Sequence, residues 1–145
     1  MTASPINHMG ISCADPLRME KWYSKHFGFR RKRVYLPGPD QVVVIGNEGA
    51  SLELFPAKGE APPPRGEADG PAYPGWRHVA FLVDDLDAKL ADMGDDAKIT
   101  LGPLDMGEFI EGMRVAWISD PEGNIVELNQ GYVDEQDPPP PPVDR

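Results

Sequence analysis

The feature that most constrains this chain of 145 residues is an internal echo. The stretch Asn124-Ile125-Val126-Glu127-Leu128-Asn129, entered through Asp120-Pro121-Glu122-Gly123, repeats the pattern of Glu48-Gly49-Ala50-Ser51-Leu52-Glu53-Leu54: a Glu-Gly turn, then an apolar residue, a glutamate and a leucine. Glu127 follows Glu53 by 74 residues. A second pair of landmarks, Asn7-His8-Met9-Gly10-Ile11 and Arg77-His78-Val79-Ala80-Phe81, recurs at a spacing of 70. Each half therefore opens with a histidine and closes with a glutamate. Two copies are too few for a stacked solenoid, so the chain reads as a duplicated module.

Residues 6–13 alternate, with Met9, Ile11 and Cys13 on one face and His8, Gly10 and Ser12 on the other, which is the period of a strand. Asp15-Pro16 starts a helix, the aspartate as cap and the proline at the first helical position. Leu17, Met19, Trp22, Tyr23 and His26 fall near helical period and give it a face to pack on a sheet; Gly28 ends it. Residues 29–36 read as a strand carrying Arg30-Arg31-Lys32-Arg33 and stopped by Pro37-Gly38-Pro39-Asp40. Residues 41–45 and 51–55 are two more strands around the turn Gly46-Asn47-Glu48-Gly49. The first module, about residues 5–56, is thus strand, helix and three strands.

Residues 57–75 form a linker rich in Pro, Gly, Ala and charge, with Pro62-Pro63-Pro64 at its middle; it lacks the pattern of a packed element and is long enough to fold over a site. The second module covers about residues 76–131. Its first strand, residues 76–83, turns Val79, Phe81 and Val83 one way and His78, Ala80 and Leu82 the other. Asp84-Asp85 caps a helix with Leu86, Leu90 and Met93 on one face, ending at Gly94. Strands follow at 98–101, 114–119 and 124–130, while 104–112 carries no assignable pattern. The whole is a single α+β domain over residues 1–131. Residues 132–145, acidic and ending in a run of five prolines, have too little apolar surface to pack and are expected to be disordered, with docking to an SH3-like partner as the other use of such a run.

A net charge of −10 and a pI near 4.6 exclude nucleic acid and anionic membrane as main partners, because both would be repelled over most of the surface. The single cysteine, Cys13, rules out an internal disulfide and fits a reducing compartment. No run of about 18 apolar residues exists, and Met1-Thr2-Ala3-Ser4-Pro5 lacks the basic start of a secretory signal. A soluble cytoplasmic protein acting on a small molecule is the expectation.

Strand alternation separates the landmark side chains from the core. Leu52 and Leu54 share one face and leave Glu53 with Ser51 and Phe55; Val126 and Leu128 share one face and leave Glu127 with Ile125 and Asn129. His8 and His78 lie likewise opposite their apolar runs. If the modules pack side by side about a pseudo-twofold axis, both His-Glu pairs can converge in one concavity. Two imidazoles and two carboxylates suit a divalent transition metal with open positions for water or substrate. Such an ion holds a carbonyl and an adjacent oxygen together and stabilises the charge left when a neighbouring C–H is deprotonated, with a carboxylate at the rim as base. A single strand glutamate or histidine is more often a solvated or structural residue; the matched set of four is what points to a site.

These stretches resemble the vicinal oxygen chelate superfamily, which includes glyoxalase I, methylmalonyl-CoA epimerase, extradiol dioxygenases, and the fosfomycin and bleomycin resistance proteins. The resemblance is carried by Ile6-Asn7-His8-Met9-Gly10-Ile11, Leu52-Glu53-Leu54-Phe55, residues 77–86 and residues 119–128. It implies two βαβββ modules with pseudo-twofold symmetry whose mixed sheets curl into a cup, helices outside. The metal ligands fall on His8, Glu53, His78 and Glu127, with a divalent ion (Ni, Zn, Co or Mn) as cofactor and a homodimer as the expected assembly; the modules sharing one cup come from one chain or from two. Extradiol dioxygenases and fosfomycin resistance enzymes leave the position of Glu53 out of the ligand set and methylmalonyl-CoA epimerases place Gln there, so Glu53 favours a glyoxalase I-like site. The activity so implied is a metal-dependent lyase or isomerase that stabilises an enediolate, with Glu127 shuttling the proton and Glu53 as the second catalytic carboxylate. The Asn-Trp-Gly stretch that usually follows the second ligand of glyoxalase I is absent, which leaves the thiol of the substrate open. The alternatives are a bleomycin-type drug-binding resistance protein without catalysis and an iron-dependent extradiol dioxygenase. Trp76, Trp117 and Phe55 are candidates to line the cup, and the basic run at Arg30 is a candidate to meet a substrate carboxylate or phosphate.

Overall fold

The computed structural model describes residue 3, residues 5–60 and residues 67–142, so that Pro62-Pro63-Pro64 of the linker and the last three residues of the tail lie outside the described residues. Module one runs β1 (Met9–Cys13), α1 (Pro16–Phe27), β2 (Arg30–Tyr35), β3 (Val42–Gly46) and β4 (Ser51–Pro56). Module two repeats it as β5 (Val79–Leu82), α2 (Leu86–Met93), a 3-10 turn (Gly94–Asp96), β6 (Lys98–Asp105), β7 (Arg114–Ser119) and β8 (Ile125–Gln130). The strands form two four-stranded mixed sheets, β1-β4-β3-β2 and β5-β8-β7-β6. In each, the first strand pairs parallel with the last, which requires a crossover, and the helix supplies it. The architecture is the pair of βαβββ modules that the duplication implies.

Helix α1 begins and ends for local reasons. The Asp15 carboxylate accepts from Arg18 N at 3.1 Å, and Gly28 takes the left-handed conformation that a side chain disfavours, φ 67°. Met19, Trp22, Tyr23 and His26 recur at helical spacing and are the buried face. Leu17, expected on that face, is instead 51% exposed. It lies roughly 200° around the helix from Met19, at about 100° per residue, so it falls off the stripe.

Two other expectations change. The strand expected at 76–83 starts only at Val79, and Trp76 is 90% exposed. Val79 pairs with Val126, so the positions opposite Trp76 and Arg77 fall in the turn before β8, where no ladder exists. Strand β6 runs on through Leu104 and Asp105, into the segment without a readable pattern. Its register against β7 shifts between Ile99 and Leu101 and again between Leu101 and Leu104, which scrambles the alternation a reader would look for. Residues 132–142 carry no helix or strand. Among the described residues no helix is long and apolar enough to cross a membrane.

The apolar faces of both sheets, each with its helix, share one core. Cys13, Met19, Tyr23, Ile45, Leu52 and Leu54 of module one pack in the same cluster as Leu86, Met93, Ile118, Val126 and Leu128 of module two. The Phe27 and Phe81 rings stack across the junction with centroids 4.0 Å apart. Polar ties reinforce it: the Tyr23 hydroxyl donates to Asp120 at 2.9 Å, Lys25 and His26 both reach Asp96, Lys89 donates to the His26 carbonyl, and Glu122 accepts from the Ala14 and Asp15 amides ahead of α1. Because both sheets spend their apolar faces on this shared core, the faces bearing Glu53 and Glu127 are turned away from it.

Candidate metal centre

Each glutamate is aimed by strand parity. Leu52 and Leu54 are buried at 2% and 0% exposure, so Glu53 between them points to the opposite face; Val126 and Leu128, both at 0%, do the same for Glu127. Gly10 is the strand partner of Glu53 and Ala80 the partner of Glu127. In both modules the histidine stands two residues before that partner, just ahead of its edge strand. The two halves therefore build the same local arrangement.

His8 Nε2 lies 2.8 Å from Glu53 Oε2, and His78 Nε2 lies 3.4 Å from Glu127 Oε1. The opposite nitrogen of each ring is already engaged, His8 Nδ1 with Asn7 Oδ1 at 2.6 Å and His78 Nδ1 with the Asp69 carbonyl at 2.6 Å. A carbonyl oxygen only accepts, so the proton belongs on Nδ1, and a neutral ring then turns its Nε2 lone pair toward a carboxylate. That arrangement asks for a cation between the two. Two protein ligands at about 2.1 Å from one divalent ion, subtending roughly 90–110°, stand roughly 3.0–3.4 Å apart, so the His78–Glu127 pair has the spacing of neighbouring ligands on one ion and the His8–Glu53 pair is slightly closer. Engaging the far ring nitrogen is how proteins orient metal-binding histidines. The donor set fits the ion.

The chain brings the four groups together two by two and not as four. Among the described residues no group of three or more His, Cys, Asp or Glu side chains is placed to hold a metal. Convergence of both pairs in one concavity of one chain, the result of side-by-side packing, is thus not what the fold produces. The shared core takes the face of each sheet opposite the one that carries its glutamate.

Around Glu127 the site is more elaborate than alternation alone suggested. Trp117 is the strand partner of Glu127 and its ring sits 6.2 Å from that of His78. The Asn129 amide donates from Nδ2 to Glu127 Oε2 at 3.0 Å. Both side chains are buried, at 8% and 7% exposure, yet Trp117 Nε1 and Asn129 Oδ1 have no hydrogen-bond partner among the described residues. Leaving such an atom unsatisfied costs about 1–3 kcal/mol. Val115, Trp117 and Ile125 form a second small apolar cluster on this face with Leu101, Met106 and Met113. On the Glu53 face Phe55 is 38% exposed.

Asn7 and Asp69 were the partners that sequence reasoning missed. Asn7 sits directly before His8 and could have been noticed. Asp69 belongs to the linker, and only folding shows that this segment passes by His78. Gly70 makes the approach possible: its φ is +116°, and a Cβ there would fall 2.2 Å from the Arg77 carbonyl oxygen. Within the basic run, Arg31 is held by Glu20 at 2.6 and 2.9 Å. A surface cleft of about 210 Å³ lined by Arg18, Lys21, Lys25 and Lys98 contains none of the four candidate ligands.

Residues 5–128 match the family described as the glyoxalase/bleomycin resistance protein/dioxygenase superfamily. No curated protein matches the chain. Among solved structures, a glyoxalase family protein from Enterococcus faecalis is similar at 24% identity and a TM-score of 0.65, covering 87% of this chain and 97% of its own. An antibiotic-binding protein from a Streptomyces species is similar at 22% identity and a TM-score of 0.64, covering 91% and 99%. A fosfomycin resistance protein from Listeria monocytogenes gives 13% identity and a TM-score of 0.66, covering 91% and 97%. At these identities the likeness is one of fold.

Proposed function

Because this chain belongs to the glyoxalase/bleomycin resistance protein/dioxygenase superfamily, we propose that it is a metal-dependent lyase or isomerase of the glyoxalase type, acting on a small substrate with oxygens on adjacent carbons. The observation that carries this reading is the duplicated His-Glu pair, each imidazole with Nδ1 engaged and Nε2 turned to a carboxylate. His8, Glu53, His78 and Glu127 would hold the ion. Bound there, a divalent ion such as Ni, Zn, Co or Mn supplies positive charge beside two substrate oxygens and so favours loss of a proton from the neighbouring carbon. Glu127 takes that proton and returns it to the adjacent carbon, while Glu53 is the second carboxylate available for proton movement. Asn129 holds Oε2 of Glu127, which leaves Oε1 on the His78 side as the oxygen free to work.

The complete site needs two chains. The histidine-bearing strands β1 and β5 are edge strands of their sheets, and Phe55, Trp76 and Leu82 leave apolar surface exposed near the pairs. Apposing the β1 edge of one copy to the β5 edge of another in a twofold dimer joins His8 and Glu53 of one with His78 and Glu127 of the other, and does so twice. The buried, single Cys13 suits a reducing, cytoplasmic setting.

The experiment is metal analysis and a hemithioacetal assay on the wild type, His8→Ala, His78→Ala and an equimolar mixture of the two variants. Each variant alone loses bound ion and turnover. In the mixture, exchange of subunits restores about a quarter of the wild-type sites, because each mixed dimer keeps one intact set. No bound ion and no turnover with any added divalent ion would remove the enzymatic reading; a mixture as inactive as its parts would place all four ligands in one chain. A second reading, sequestration of a drug without chemistry, draws on the fold shared with the Streptomyces antibiotic-binding protein. Tight stoichiometric binding of an aromatic antibiotic by metal-free protein favours it. Oxygen uptake with catechols and ferrous iron would favour a dioxygenase, whose need for open iron positions agrees poorly with a fourth protein ligand.

A further inference from the structure

We infer that Trp117 and Asn129 form a polar reader for a 2-hydroxycarbonyl group, Trp117 Nε1 donating to the carbonyl oxygen and Asn129 Oδ1 accepting from the hydroxyl. The inference rests on the metal site proposed above. Its own ground is that two buried polar atoms of opposite character, one donor and one acceptor, lack partners on the face that carries Glu127. Protein interiors rarely leave either kind unpaired, and a native exception calls for an explanation such as a ligand. Trp117 stands across the ladder from Glu127 and beside His78, while Asn129 is bound to Glu127 itself, so both atoms belong to side chains in contact with the proposed ligands.

The amide orientation is fixed by chemistry. With Oδ1 turned to Glu127 two oxygens would oppose each other, so Nδ2 faces the carboxylate at 3.0 Å and Oδ1 is left as an acceptor. An indole nitrogen can only donate. The pair therefore asks a ligand for one acceptor and one donor. Adjacent carbonyl and hydroxyl oxygens offer both, a vicinal dicarbonyl offers acceptors alone, and a site built to pair a hydroxyl discriminates strongly against an analogue that lacks one. Trp117 and Asn129 are thus specificity-determining residues that decide which of the two oxygens lies on which side of Glu127.

The test uses Ni²⁺ alone, then glycolate and oxalate as probes of the Ni²⁺-loaded protein, measured by isothermal titration for the wild type, Trp117→Phe and Asn129→Leu. Glycolate has a hydroxyl and a carboxylate; oxalate has acceptors only. Ni²⁺ binding is expected to be unchanged in Trp117→Phe, whereas Asn129→Leu, which also loses the bond to Glu127 Oε2, binds Ni²⁺ about 10- to 100-fold more weakly, so the probes are compared at saturating Ni²⁺. Trp117→Phe weakens both probes about tenfold, whereas Asn129→Leu weakens glycolate about tenfold and oxalate less than about twofold. Unaltered probe affinities in both Ni²⁺-saturated variants overturn this inference alone. Failure of the wild type to bind Ni²⁺ overturns the metal reading and this inference with it. Variants that weaken self-association and leave the probes untouched assign the two atoms to a second copy of the chain and overturn it as well.

Discussion

Asp120 shows how one residue ties the duplicated halves together. It is 2% exposed, and its carboxylate accepts from the Tyr23 hydroxyl, the Asn124 side chain and the amides of Glu122 and Asn124, all within 3.0 Å. Burial pushes its pKa up, while these hydrogen bonds pull it partly back. Burial likewise raises the Tyr23 hydroxyl, helped by the neighbouring carboxylate. A carboxyl whose folded pKa is raised contributes stability that is fully present below the unfolded value, near about 3.9, and lost as pH climbs through the folded value. Denaturant unfolding between about pH 4 and pH 7 should therefore show the wild type losing ground against Asp120→Asn, which cannot ionise. Tyr23→Phe deletes one donor from the network and lowers stability by about 1–3 kcal/mol in the same measurement.

At the scale of elements, the linker is the segment with the most to do relative to its composition. Its described residues carry no helix or strand, yet the Asp69 carbonyl accepts from His78 Nδ1, the Asp69 carboxylate holds Arg77 at 3.0 Å, and Thr100 donates to the Ala68 carbonyl. Gly70 permits this because the backbone passes against Arg77 with no room for a Cβ. Gly70→Ala is expected to lift the linker off His78 while the core keeps its packing. Nitrogen NMR of the metal-free imidazole would report the change directly, from a single Nδ1–H tautomer to a mixture. Ni²⁺ affinity would fall about 10- to 100-fold, as when the hydrogen-bond partner of a metal-binding histidine is lost. An unchanged tautomer would show that the ring is oriented by something other than Asp69.

At the scale of the whole molecule, both sheets turn their apolar faces to one shared core and carry Glu53 and Glu127 on the opposite faces. A protein whose edges β1 and β5 are covered by a second copy is stabilised by mass action. On the proposed two-chain site, the melting temperature should rise with protein concentration over a hundredfold range, and more steeply with Ni²⁺ present, because an ion held by both chains would favour the dimer. Scanning calorimetry at several concentrations, with sedimentation to follow the assembly, checks this. A melting temperature independent of concentration, with or without metal, describes a monomer.

The duplication, the order of elements and the faces on which Glu53 and Glu127 stand were legible in the sequence, because strand alternation and helix caps are local and every half-buried strand must obey them. The turn signals at Gly28 and Asp85 worked for the same reason. Less legible were features that depend on partners far along the chain: Leu17 left outside a stripe centred on Met19, the strand that begins only where β8 offers a ladder, and the register shifts that hid the end of β6. The tertiary structure alone decided that the four side chains meet two by two, His8 with Glu53 and His78 with Glu127, since how modules pack is set by which apolar faces find each other. It also decided that Asp69 reaches His78, for a hydrogen-bond partner drawn from a separate segment leaves no periodic trace in a sequence, whereas Asn129 beside Glu127 follows from strand alternation.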